Sequence, residues 1–197
     1  MMSKYKAAYA ASQFLSPGVV WVTGIMIFSM KEINTFYIAI FQGLIVSSIS
    51  LLVPILTIKK LKSRINLTYS RNITIYQKQP ILLISLISGL FIAWLSSKIF
   101  LKEQPLLYLY FLIVGTLSLI IYVLRRFFNC SGHTTAVSTL TFLLSVFFSI
   151  PFWYFLPIIF LVAYSRITLK IHSIKDVIAG FILGISVSFI YSSLVIK

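Results

Sequence analysis

The stretch SRITLKIHSIKD (Ser165–Asp176) separates two long apolar segments near the C-terminus of the chain. It holds His172, one of two histidines, and Asp176, the single aspartate. A second polar stretch, CSGHTT (Cys130–Thr135), holds the other histidine. Residue types that support catalysis are rare in this chain, and they are concentrated in these two stretches. The two stretches therefore delimit the apolar segments and contain the first candidates for a functional site.

The composition indicates an integral membrane protein. Of 197 residues, 59% are hydrophobic and 10% are charged, whereas soluble domains carry about 25% charged residues. The apolar residues occur in runs of about 20, the length of a transmembrane helix. The alternation typical of a β-barrel is absent. We therefore predict an all-α fold, a polytopic transmembrane helix bundle of six to seven spans, forming a single domain over residues 1–197.

Seven apolar segments can be delimited. Pro80, Pro105 and Pro151 stand where helices should begin, a position at which proline is tolerated. The first and sixth segments are short, so the number of full spans is six or seven. The first segment is predicted to be an uncleaved span, because it begins late and contains Ser16-Pro17-Gly18. The segments are Phe14–Met30, Thr35–Ile58, Pro80–Ser97, Pro105–Leu124, Thr134–Ile150, Phe152–Tyr164 and Val177–Ile196.

The net charge of +14 arises from 17 basic and only three acidic residues. Most basic residues lie in short loops between apolar segments, which favours contact with lipid headgroups and excludes a nucleic-acid partner. With seven crossings, the basic loops and the N-terminal lysines share one side of the membrane. The positive-inside rule makes that side cytoplasmic. We expect an integral protein of the cell membrane, with both histidines at this basic face.

His172 and Asp176 are spaced as partners on one face of a helix. A carboxylate behind an imidazole fixes its tautomer and raises its basicity, leaving the other ring nitrogen as a base or nucleophile. The alternative is a histidine at the membrane interface with an unrelated acid nearby.

Ser131, Gly132 and His133 precede the fifth apolar segment. Serine is a preferred N-cap, glycine permits close approach of a ligand, and a helix N-terminus suits phosphate. The alternative is an N-cap with no further role. Cations that could bind phosphate are Arg166 and the pair Arg71 and Lys78, although an ordinary basic loop would look the same.

Metal ligation has little support in the sequence. Three scattered acids offer little to Mg²⁺ or Ca²⁺, and Cys130 with two histidines is a poor zinc set. We expect no metal and no cofactor. Cys130 is the only cysteine, so it forms no internal disulfide.

These stretches resemble the signatures of the type 2 phosphatidic acid phosphatase superfamily. Ser165-Arg166, His172 and Asp176 match its third signature, SR-x5-H-x3-D. The run Cys130–His133 is similar to the second signature, PSGH, with cysteine in place of proline. For the first signature, K-x6-RP, the best match is Arg71 with Lys78-Gln79-Pro80, in which the cations are exchanged and a glutamine is inserted. A rival match begins at Arg64.

The resemblance implies a metal-independent phosphatase acting on a membrane lipid phosphate: phosphatidate, a phosphatidylglycerol phosphate, or a polyprenyl phosphate or diphosphate. It implies that His172 attacks phosphorus and forms a phosphohistidine, that Asp176 orients His172, and that His133 protonates the leaving alkoxide and later activates water. The implied phosphate ligands are Arg71, Lys78, Ser131, Gly132 and Arg166.

Three alternatives remain at this point. One is an enzyme that passes the phosphoryl group to another lipid or a sugar. Another is a non-enzymatic lipid-phosphate binder or transporter on the same fold, and a haem or metal protein using both histidines is the third. Members of the superfamily usually carry their site on the extracytoplasmic face, which conflicts with the face indicated by the loop charges.

Overall fold

A computed structural model describes residues 2–32, 105–124 and 127–195, with isolated positions between 37 and 48. These residues form α-helices and one short 3₁₀ helix and contain no strand, which confirms the predicted all-α class. The predicted segments Thr35–Ile58 and Pro80–Ser97 lie outside this part, apart from the isolated positions. The elements are α1 Met2–Phe14, α2 Pro17–Glu32, α3 Pro105–Leu124, α4 Gly132–Phe148, the 3₁₀ helix Phe152–Phe155, α5 Leu156–Thr168 and α6 Ile174–Val195.

Two of the described helices, α3 and α6, are long and apolar enough to cross a membrane. A third crossing results if the consecutive helices α1 and α2 act as one bent span. Helix α4 and the segment Phe152–Thr168 are apolar but shorter. The six to seven spans of the sequence analysis therefore stay a prediction, as does the single domain over residues 1–197.

Helix bounds follow the predicted apolar segments closely in the C-terminal half. Helix α3 has the predicted bounds because Pro105 can occupy its first turn without loss of a hydrogen bond. The sixth segment is different, since Pro151 begins a 3₁₀ helix and α5 starts only at Leu156. Helix α1 lies ahead of the predicted first segment, which begins at Phe14. The alanines of α1 are strong helix formers. The helix was not among the predicted segments because it is more polar than they are.

The chain divides into two compact units. One unit spans Ile25–Ser118 and includes the start of α3. In this unit the Glu32 carboxylate accepts hydrogen bonds from the backbone N–H groups of Leu106 and Leu107, which would otherwise lack partners in the first turn of α3. A negative charge at this position also complements the helix dipole. Glu32, one of the three acids, is therefore an N-terminal cap.

The other unit comprises Met1–Gly24 and Leu119–Lys197. Its most extensive described helix pair is α4 with α6. Gly180 and Gly184, four residues apart on α6, allow the close approach. A Cβ atom at Gly180 would lie 2.6 Å from the Ser131 carbonyl oxygen, and one at Gly184 would lie 2.7 Å from the Thr135 carbonyl oxygen. Small residues in this spacing are typical of packed transmembrane helices.

Helix α1 packs against α5 in the same unit. Near the start of α1, the Lys4 ammonium lies 5.8 Å from the centre of the Tyr164 ring, within the range of a cation–π contact. Near its end, Ser12 is 4% exposed and contacts Arg166 of α5. The N-terminal helix therefore reaches the polar stretch Ser165–Asp176.

Candidate active site

Ser131 begins the site as the N-cap of α4. Its hydroxyl accepts hydrogen bonds from the backbone N–H and the hydroxyl of Thr134, at 3.5 and 3.0 Å. Its own backbone N–H donates to the Asp176 carbonyl at 3.0 Å. Ser131 is fully buried. In the structure, Ser131 caps α4 and joins α4 to the start of α6.

Gly132 is the first residue of α4, and its Cα faces open space. A Cβ atom built at this position meets no described atom within 4 Å. Free backbone N–H groups and the positive end of a helix dipole occur in the first turn of a helix. An anion could therefore approach the α4 N-terminus on the side of Gly132 without steric conflict.

His172 and Asp176 form a close pair, with 3.6 Å between Nδ1 and Oδ2. The predicted geometry was wrong in one respect, because the two residues do not share a helix. His172 lies in the turn before α6, and Asp176 lies in its first turn. Ser173 donates its backbone N–H to Asp176 Oδ2 at 2.9 Å, and its hydroxyl accepts the Asp176 N–H at 3.2 Å. This capping box holds the carboxylate beside the imidazole.

The turn from α5 to α6 ties His172 to Arg166. The backbone N–H of Lys170 bonds the Ile167 carbonyl, and the N–H of Ile171 bonds the Arg166 carbonyl. This is the Schellman pattern, in which the residue after the helix is left-handed; Lys170 has φ 54°. The N–H of His172 also points to the Arg166 carbonyl, at 3.4 Å. The backbone thereby fixes the histidine next to the arginine.

Arg166 is buried, with 7% of its surface exposed. Its Nη1 donates to the Ser12 hydroxyl at 2.7 Å. Its Nε is also buried and has no hydrogen-bond partner within the described ranges. A buried guanidinium N–H without a partner is unfavourable, and an anion beside it would supply the missing acceptor.

His133 lies in the first turn of α4, one residue before the predicted apolar segment. Burial, together with the nearby positive charges of Arg166 and protonated His172, lowers its pKa from 6.5 to about 4, while a hydrogen bond to the Ser12 backbone acts in the opposite direction. The imidazole of His133 is therefore close to Arg166, His172 and Ser12. It is neutral at physiological pH when the site holds no anion.

The structure thus gathers six of the eight predicted site residues, at the start of α4, the end of α5 and the start of α6. Arg71 and Lys78 lie outside the described residues, so their part in the site stays a prediction. Two contributors were missed by the sequence analysis. Ser173 could have been identified from the Ser-x-x-Asp capping pattern. Ser12 gave no signal, because its contact with Arg166 spans 154 positions. The six gathered residues are Ser131, Gly132, His133, Arg166, His172 and Asp176.

Cys130, which stands where the family signature has proline, is buried just before α4. Its sulfur lies 3.7 Å from the Thr135 hydroxyl, so the side chain packs against the first turn of α4. Within the described part of the chain, no group of three or more His, Cys, Asp or Glu side chains could hold a metal ion. The expectation of metal-independent chemistry stays a prediction.

Comparison with known proteins supports the resemblance noted in the sequence. Residues 110–197 match the family model of the PAP2 superfamily. No curated protein and no solved structure gives a significant match to the chain. The matched range contains both signature stretches, and similarity to this superfamily supports phosphatase-type activity on lipid phosphates. Together with two to three apolar helices long enough for a bilayer, it indicates a membrane protein. Over residues 110–197, this chain is similar to the PAP2 superfamily.

Proposed function

We propose that the protein is a metal-independent phosphatase that removes phosphate from a membrane lipid phosphate through a phosphohistidine on His172. The observation that supports this most directly is the pairing of His172 with Asp176 beside Arg166 and His133. A nucleophile with its orienting carboxylate, a second histidine and a buried cation are the groups that such a transfer requires.

In the first step, Nε2 of His172 attacks phosphorus. Asp176 lies against Nδ1, 3.6 Å away, which assigns the attack to the other ring nitrogen, Nε2, and stabilises the charge that develops on the ring. The N–P bond forms as the ester P–O bond breaks, and His133 gives a proton to the departing alkoxide. In the second step, water attacks phosphorus, His133 takes its proton, and the N–P bond breaks to release inorganic phosphate.

The protonation state of His133 is consistent with this cycle once substrate is bound. In the ligand-free site the low pKa of His133 keeps the ring neutral. A phosphate group brings negative charge next to the ring, and a nearby opposite charge favours the protonated form. Substrate binding therefore prepares the general acid, and loss of phosphate returns His133 to its neutral form.

The phosphate oxygens would be held by Arg166, by backbone N–H groups at Gly132 and by the predicted cations Arg71 and Lys78. The unpartnered Nε of Arg166 and the open space at Gly132 support the first two. The predicted direct role of the Ser131 hydroxyl requires it to turn from Thr134 toward the phosphate. In its observed position it contributes by capping the helix that presents Gly132.

A lipid substrate agrees with the position of the site at the ends of apolar helices. Helix α6 begins beside His172 and exposes large apolar side chains along its length, including Ile178, Ile182 and Phe189. Such a surface suits acyl or prenyl chains. A phosphate at headgroup depth would then lie at the level of the helix ends.

The test measures release of inorganic phosphate by purified protein in detergent with EDTA present. Phosphatidate, a phosphatidylglycerol phosphate and polyprenyl phosphate and diphosphate form the substrate panel. Wild type should release phosphate from at least one of them, and His172→Ala should lower the rate at least about 1,000-fold, because the nucleophile is absent. Ser188→Ala is the matched control, since this buried hydroxyl bonds only within α6.

Trapping of the intermediate completes the test. With a ³²P-labelled substrate, wild type quenched in alkali during turnover should carry an acid-labile phosphoryl group on the protein, whereas His172→Ala should not. Absence of phosphate release from the whole panel would overturn the phosphatase proposal. Tight binding of the same lipids without release would then favour the lipid-phosphate binder or transporter.

A further inference from the structure

Ser12 is the point at which the N-terminal helix enters the site. It is 4% exposed. The hydroxyl accepts a hydrogen bond from Nη1 of Arg166 at 2.7 Å, and the backbone lies near the imidazole of His133. One residue of α1 therefore contacts a phosphate-binding cation of the proposed reaction and lies beside its general acid.

We propose that Ser12 is a positioning residue, which orients the Arg166 guanidinium for phosphate. The inference rests on the proposed phosphate site at Arg166 and goes beyond it. Ser12 lies outside residues 110–197, the range that matches the PAP2 superfamily. The working site of this chain thus includes α1 as well as the superfamily region.

The geometry at Arg166 supports this role. An arginine side chain has several rotatable bonds, and holding it in one orientation costs conformational entropy. The bond from Nη1 to Ser12 fixes one edge of the planar guanidinium, and Nε lies on another edge with no partner within the described ranges. Ser12 thereby leaves the Nε edge available for an anion. Removal of the Ser12 hydroxyl leaves the Arg166 guanidinium without this restraint and should weaken phosphate binding.

The hydrogen bond between Ser12 and Arg166 predicts which kinetic constant a variant should change. In the proposed reaction Arg166 binds phosphate and transfers no proton, so loss of this bond weakens binding and leaves the proton transfers of His133 in place. A side-chain variant should therefore raise KM much more than it lowers kcat.

Four variants test this role: Ser12→Ala, Ser12→Thr, Ser12→Val and the control Ser188→Ala. Thr and Val have the same shape and differ only in the hydroxyl, so they decide the outcome if Ser12→Ala does not fold. Two assays are carried out in detergent. Isothermal calorimetry gives the Kd of inorganic phosphate, which needs no turnover, and steady-state assays give KM and kcat for phosphatidate or the best lipid of the panel.

We expect Ser12→Ala and Ser12→Val to raise the phosphate Kd and the substrate KM about tenfold, because a hydrogen bond to a charged group is lost. Their kcat should change less than about threefold, and Ser12→Thr and Ser188→Ala should resemble wild type. In an Arg166→Ala background, Ser12→Ala should have no further effect on phosphate binding, since coupled residues are not additive.

Unchanged Kd and KM in Ser12→Val would overturn the inference, and so would tighter binding, which would mean that Ser12 competes with phosphate for Arg166. Failure of the proposed function looks different. Wild type that releases no phosphate from any lipid but binds inorganic phosphate through Ser12 would reject only the phosphatase. Wild type that neither binds phosphate nor releases it would reject both.

Discussion

The backbone N–H of Ser131 donates to the backbone carbonyl of Asp176 at 3.0 Å. This hydrogen bond joins the N-terminus of α4 to the N-terminus of α6. It is possible because Gly180, one turn further along α6, leaves room for the Ser131 carbonyl. The two signature stretches are therefore held together by the backbone, independently of the side chains that would react.

Gly180→Ala should disrupt this junction. The added Cβ would lie 2.6 Å from the Ser131 carbonyl oxygen, so α4 or α6 must move. Overpacking of this kind costs about 1–3 kcal/mol of stability. Thermal unfolding in detergent should show a lower midpoint, and phosphate release should fall as Ser131 and Asp176 move apart.

Gly132→Ala is the matched comparison for that variant. A Cβ at this position meets no described atom, so the unfolding midpoint should stay close to that of wild type. The methyl group would instead occupy space beside the proposed phosphate, and KM should rise at least about fivefold. An equal loss of stability in both alanine variants would contradict the described packing of α6.

Asp176→Asn separates the charge of this residue from its capping role. The amide oxygen can still accept the Ser173 N–H, so the start of α6 should be retained. The negative charge beside His172 is lost, and kcat should fall at least about 100-fold, the usual scale for an acid–base contribution. Ser173→Ala should have the opposite profile, losing about 1 kcal/mol of stability with a smaller change in kcat. An Asp176→Asn enzyme within threefold of wild type would argue against the orienting role.

Lys170 provides a test of the turn that ties Arg166 to His172. Its φ of 54° lies in the left-handed region, which glycine and asparagine adopt more readily than lysine. Lys170→Gly and Lys170→Asn should keep or raise the thermal midpoint, with a gain of up to about 1 kcal/mol. Lys170→Val should lower it, because a β-branched side chain is strained there. A valine variant as stable as wild type would show that the left-handed turn does not limit stability.

Local patterns account for most of what could be predicted from this sequence. Helix α3 has the predicted bounds because a proline start and a continuous apolar run act within one segment. The pairing of His172 with Asp176 was predicted, but its geometry was not. A shared helix face and a capping box both bring residues four positions apart into contact, so the spacing alone does not distinguish them. The role of Ser12 depends on the packing of α1 against α5, and no local pattern reports a contact between residues so far apart in the chain.

The same limit applies to Gly180. Its spacing from Gly184 is visible in the sequence, but the residue that it faces is determined by the register of α6 against α4. Small residues indicate that a helix is closely packed and do not identify its neighbour. Tertiary packing therefore determines that the N-terminus of α4 lies against Gly180. It also determines the distance between the two signature stretches.

The last prediction concerns the stability of the protein at low pH. Burial lowers the pKa of His133 from 6.5 to about 4, so the folded state favours the neutral ring. Its contribution to stability is complete above about pH 6.5 and is lost as the pH falls toward 4, with about 1.4 kcal/mol for each unit of difference in pKa. Thermal unfolding of wild type should show a midpoint that falls across this range. His133→Gln, which does not titrate, should flatten the curve, whereas His172→Gln should keep most of the slope. A wild-type slope retained in His133→Gln would show that other groups govern the acid sensitivity.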